Sequence, residues 1–267
     1  MSTRTRPVIN IDVDNHNDNN DDNNDKNNKM PPSSIPNLPA KLEPVFTPRP
    51  GVQEAQGTQA VVQALGLVEH VEGGWFAEID RSPLVIGNPF LHTSKEAGRG
   101  GDGTAITPTA STTPTSTLPL SGNNAVRNAS TSIYYLLTRN NPQGHFHRNK
   151  ARTVHTVIQG RGRYVLIHGD EEDEGGRGDK AGIRVESFVV GSNVAKGERA
   201  VWVVEGGKWK ASFLLGGEEG DEARLLISET VVPGFEYADH DFLTMGRLEQ
   251  LLGEEQVREL GWLVRKA

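Results

Sequence analysis

The chain predicts a mainly antiparallel all-β domain, a sandwich or a barrel, on three observations. From Ser130 onward short strand-like runs follow one another, turn residues separate them, and helical periodicity is confined to the two ends of this region. The runs are TSIYYLL, RTVHTVI, GRYVLIHG, IRVESFVVG, RAVWVVEGG, KASFLLGG and ARLLISETVV. Few helices lie between them, which disfavours a doubly wound α/β fold.

From Asn10 to Lys29 the residues are almost all Asn and Asp, and Pro-rich sequence follows through Pro50. Such a stretch cannot bury enough apolar area to offset its ordering entropy, so residues 1–57 are expected to form a disordered tail and 58–267 the folded domain. The segment TQAVVQALGLVEH carries Val61, Val62, Leu65 and Leu67 at helical spacing and predicts a short opening helix. Gly73-Gly74 marks a turn before WFAEIDRS, where Trp75, Ala77 and Ile79 alternate with Phe76, Glu78 and Asp80 as in a strand. A low-complexity insertion rich in Gly, Ser, Thr and Pro spans about 83–129. The polar run EEDEGGRGDK reads as a solvated hairpin loop. After Pro233-Gly234-Phe235, Met245, Leu248, Leu251 and Leu252 share one helical face. Gly253 interrupts, and Val257, Leu260, Leu263 and Val264 resume, which predicts a terminal helical pair.

The formal charge of −7 argues against nucleic acid as a partner, since that grip needs clustered Lys and Arg. Without cysteine the chain can build no disulfide, thiolate metal site or Cys nucleophile. No apolar run is long enough for a signal-peptide core or a bilayer span, so the expected location is cytoplasmic or nucleocytoplasmic, with no membrane partner and no secretion.

The densest chemical signal is GHFHRNKARTVHTVIQGRG. His145 and His147 are two apart, so on a regular strand both imidazoles face one side, and His155 could join them from the adjoining strand. A divalent metal at His145, His147 and His155 is one reading, although such a site usually also wants a carboxylate or more imidazoles. The other is a pocket without a cofactor, in which His147 or His155 moves a proton. Trp75, Trp202 and Trp209 offer aromatic walls, and Glu72, Glu78, Arg81 and Arg148 offer charge for holding a ligand or for fixing strand register.

These residues fall into an ordered set of blocks. His70, Glu72-Gly73-Gly74-Trp75, Glu78 and Arg81-Ser82 come first, then Ser130-Thr131 and Ile133-Tyr134-Tyr135-Leu136-Leu137. His147-Arg148, Gly160, Gly197, Gly207 with Trp209, and Val232-Pro233-Gly234-Phe235 follow. In this order the chain resembles the small-barrel family known as cupin_5, or DUF985, of the RmlC-like cupin superfamily. The resemblance implies an antiparallel cupin jelly-roll barrel with a short N-terminal helix and C-terminal helices, similar to sugar epimerases and to other metal-dependent or metal-free cupins. It also implies a homodimer.

The chain departs from the cupin metal pattern, which sets a glutamate seven positions before Gly160 and a later histidine near Trp209 or Lys210. The first of these positions holds Thr153. The expected function is therefore a barrel that binds a small polar, sugar-like metabolite without a metal, its chemistry being isomerase- or epimerase-like proton transfer. His147 and His155 are the catalytic candidates, and His145, Arg148, Trp209, Glu78 and Tyr134 the substrate-binding ones. The alternatives are a metal-dependent enzyme using His145, His147 and His155, and a non-enzymatic binding or assembly protein.

Overall fold

The computed structural model describes residues 32–91, 122–171, 183–216 and 220–266. A helix α1 (Gln56–Ala64) is followed by strands β1 (Val68–Glu69), β2 (Trp75–Arg81), β3 (Val85–Gly87), β4 (Val126–Asn128) and β5 (Thr131–Thr138). Next come β6 (Gln143–Asn149), β7 (Arg152–Gly160), β8 (Gly162–Ile167), β9 (Val185–Val190), β10 (Val201–Val204), β11 (Trp209–Leu214), β12 (Arg224–Val232) and β13 (His240–Phe242). Two short helices, α2 (Met245–Leu251) and α3 (Glu254–Leu260), close the chain. Every strand run read from the sequence is present, and Gly253 separates the two terminal helices as their spacing predicts.

One sheet has the order β1-β2-β5-β12-β7-β10 and the other β13-β6-β11-β8-β9, with every pairing antiparallel. Between the sheets lie Tyr135, Leu137, Tyr164, Leu166, Phe188, Trp202 and Ile227, each an inward position of its strand. Period-two alternation explains why: Leu136 and Leu226, one step off Tyr135 and Ile227, pack instead with Leu67, Val61 and Val62 of the α1 region. The continuous apolar run of β5 is thus a strand covered on both faces. On the far side of the second sheet, Phe146, Ile167, Trp209, Ala211 and Phe213 pack under Leu248, Leu251, Leu260 and Leu263 of the terminal helices. Each such buried side chain contributes roughly 1.5–3 kcal/mol relative to exposure.

The described part of the Asn- and Pro-rich segment is packed rather than loose. Ile35 and Leu42 are buried with the terminal helices. The Glu259 carboxylate accepts hydrogen bonds from the Ser33 and Ser34 hydroxyls and from the backbone N–H groups of Ser34 and Leu42. Averaged composition misses two apolar residues that insert between helices. The expectation of disorder for 1–31 lies outside the described residues, as do 92–121 of the insertion and 172–182 of the polar hairpin loop. The two ends of the insertion are joined by the β3–β4 ladder. No described helix is long and apolar enough to cross a membrane.

Candidate functional site

Three chain segments meet around Glu72. Gly73 and Gly74 both take positive φ, 97° and 69°, and a Cβ on Gly73 would run into the Gln143 carbonyl, so only glycine lets this turn press Glu72 against β6. His147 comes from β6 and His240 from β13, which pairs beside it. Asp239 is clamped by the buried Arg127 at 2.6 and 3.1 Å, which fixes the start of β13. Glu72 Oε1 lies 2.8 Å from His240 Nε2, and Oε2 lies 3.3 Å from His147 Nε2 and 3.4 Å from His70 Nδ1. Burial works to raise the Glu72 carboxyl, but the imidazoles of His147 and His70 and the N–H of His240 outweigh it and hold the carboxyl well below the usual range. Burial is also the main force on His147, pushing its imidazole down to about 3 against the pull of Glu72.

A second cluster adjoins the first, because Lys210 of β11 stands directly opposite His147 in the ladder. Its ammonium donates to Glu229 Oε2 at 2.8 Å and lies 3.0 Å from His155 Nε2. His155 is fully buried and stacked on Trp202, the ring centroids 4.9 Å apart. Burial first and Lys210 second push its imidazole below the ordinary value, so it is neutral at pH 7. For Glu229, burial works upward, but the Lys210 charge and His155 hold the carboxyl far below its usual range. Between the clusters stands Tyr135, whose hydroxyl donates to the Gly73 carbonyl at 2.9 Å. Burial, then the charges of Glu72 and Glu229, push its phenol up and keep it protonated. A surface crevice too narrow to hold a water molecule is lined by Asn149, Thr153, Val204, Glu205, Lys208 and Lys210.

The structure distributes the sequence candidates differently from the expectation. Three steps along β6, from Gly144 to His147, face only two along β11, from Ser212 to Lys210. This bulge interrupts the alternation that would have put both histidines on one face. His145 turns aside, with its Nδ1 2.9 Å from the Glu72 carbonyl oxygen. The metal set His145, His147 and His155 is therefore not gathered: among the described residues the group whose ligand atoms lie within 4.8 Å of one another is Glu72, His147 and His240. Trp209 faces the terminal helices instead of the barrel interior, with Arg148 4.4 Å over its ring, and Arg148 pairs with Asp241 at 3.0 Å. Tyr134 packs on the α1 side of its sheet. Glu78 pairs with Arg81 at 2.8 Å, and Arg81 also reaches Glu236, so these charges tie strand ends together.

The comparisons with known proteins agree with this architecture. The family model described as "Cupin superfamily (DUF985)" matches residues 59–243. The chain belongs to this cupin family. A Saccharomyces cerevisiae protein, YML079W, is 37% identical over 226 residues, covering 84% of this chain and 94% of the yeast protein. A hypothetical protein from Leishmania major superposes with a TM-score of 0.55 at 24% identity, covering 80% of this chain and all (100%) of that one. Protein SO0799 from Shewanella oneidensis does so at 0.50 and 20% identity, covering 81% and 100%. At these identities the two structures speak to the fold alone.

Within the cupin frame, Thr153 and Lys210 occupy positions that the metal pattern would give to ligands. Thr153 is buried beside the crevice, and Lys210, which sequence reading treated only as a missing ligand, is the cation of the second cluster. Glu229 is legible in the sequence, since it shares the inward parity of Leu225 and Ile227 in an apolar strand. The sequence shows the charge of Glu72 but not that three histidines converge on it. His240 has no local signature, since its place depends on β13 docking against β6.

Proposed function

We propose that this cupin binds a small polar metabolite bearing an oxyanion or carbonyl oxygen beside Lys210, and that any turnover is proton transfer of the isomerase or epimerase class. The observation that carries the reading is the buried Lys210 ammonium, held 2.8 Å from Glu229 and 3.0 Å from His155. An ammonium has three donors, of which Glu229 and His155 take two, leaving one for a ligand oxygen. Lys210 is the group that touches the ligand, and His155 and Glu229 orient it and share its proton across short hydrogen bonds. His155, neutral at pH 7, is the proton acceptor of the set.

The test is a thermal-shift screen of sugar phosphates, sugar acids and hydroxy-carbonyl compounds on the full chain, repeated on Lys210→Met. Hits that stabilise the native protein and lose their effect in the variant support the site, while hits that bind both equally sink it. Incubating each hit in D2O then separates enzyme from binding protein. Deuterium entering a carbon position marks proton transfer, and binding without exchange leaves the non-enzymatic alternative.

A further inference from the structure

We propose that Glu72, His147 and His240 form a divalent-cation site of two imidazole nitrogens and a carboxylate, with His70 adjoining the carboxylate, suited to a borderline ion such as Zn2+, Fe2+ or Co2+. The site goes beyond the ligand-binding reading and does not depend on it. Of its residues only His147 belongs to the cupin metal pattern, and Glu72 and His240 lie outside it.

The first argument is a tautomer. His147 Nδ1 lies 2.8 Å from the His145 carbonyl oxygen, which can only accept, so Nδ1 carries the proton and Nε2 presents a lone pair. That lone pair faces the Glu72 Oε2 lone pairs at 3.3 Å. Two acceptors held this close in a buried site repel unless a cation sits between them. A backbone carbonyl bracing the far nitrogen is the usual partner of a metal-binding histidine.

The second argument is an orphan. The His70 side chain is 7% exposed, and its Nδ1, 3.4 Å from Glu72 Oε2, makes no hydrogen bond. A buried ring nitrogen without a partner is uncommon and invites a ligand explanation. Distances add a third: metal–ligand bonds of about 2.0–2.1 Å set tetrahedral edges of about 3.3 Å. The 3.3 Å separation of His147 matches, and the 2.8 Å approach of His240 opens to a similar edge after a small shift once its Nε2 proton moves to Nδ1. Charge supplies a fourth. Glu229 has the Lys210 ammonium beside it, whereas the ion pairs of the ionised Glu72 among the described residues are with imidazoles only.

The experiment uses the full chain without an affinity tag, stripped with chelator and titrated with Co2+ while its visible absorption is followed, with Zn2+ added as competitor. The expected result is one Co2+ per chain with ligand-field bands of a low-coordinate nitrogen–oxygen site, bleached by Zn2+. Glu72→Gln, His147→Asn and His240→Asn are each expected to weaken binding by about 100-fold or more, with His155→Asn unchanged. Absence of stoichiometric Co2+ uptake by the native chain overturns the proposal. So does uptake that all three variants retain, as when the Asn/Asp-rich segment at 10–29 holds the ion.

Discussion

Replacing Lys210 with methionine isolates the energetics of the buried triad. The Lys210–Glu229 contact is 2.8 Å long, with both side chains at least nine-tenths buried. At that distance, with an effective dielectric near 20, the gross attraction is about 6 kcal/mol. Most of it is offset in the native protein by the desolvation of both ions, so the net worth of the pair is small. Removing one partner is different, because the Glu229 charge is then left inside without a cation, and the expected loss is about 3–5 kcal/mol. Urea unfolding at pH 7, followed by tryptophan fluorescence, measures it, since Trp202 stacks on His155 beside the pair. Adding Glu229→Gln to Lys210→Met removes the stranded charge and is expected to restore most of the loss. A single variant that loses less than about 1 kcal/mol, as an exposed pair would, or a double variant that loses the sum of the two singles, refutes the reasoning.

The same variant has a pH signature. The folded-state proton affinity of His155 is depressed, so the unfolded chain takes up that proton first, and the native protein loses stability as pH falls from about 6.5. The depressed Glu229 carboxyl adds stability that is fully present above the ordinary carboxylate range and erodes only as pH falls through and below it. Lys210→Met removes the cation that pushes His155 down, so between pH 7 and about 5 its stability is expected to be flatter with pH than that of the native protein.

Two further outcomes follow from the packing. Glu259→Ala strips the acceptor from the Ser33, Ser34 and Leu42 donors and is expected to cost about 2–3 kcal/mol and to speed proteolytic cleavage within 32–50; unchanged cleavage would mean that the segment is held by its apolar residues alone. The homodimer implied by the family resemblance has an edge to use in β10, where Val201 and Val203 are 59% and 38% exposed; glutamate at both is expected to give monomers by light scattering after size exclusion, and a native chain that already runs as a monomer refutes it.

The sequence by itself determined the strands, the terminal helical pair and the family. These rest on local periodicity and on motif order, which survive in a linear string: the inward and outward parity of ARLLISETVV is written in its residues. It also concentrated attention on the segment from Gly144 to Gly162, which supplies His147 and His155. Tertiary structure alone decided which of those residues meet. A one-residue bulge in β6 takes His145 away from His147, a register position makes Lys210 the neighbour of His147, and β13 docking brings His240 to Glu72 across a long stretch of chain. Trp209 shows the same limit from the other side, since alternation says that it and Lys210 face opposite ways but not which way is in. Register, bulges and docking are set by the sum of many weak contacts between distant segments, and no short window of sequence contains that sum.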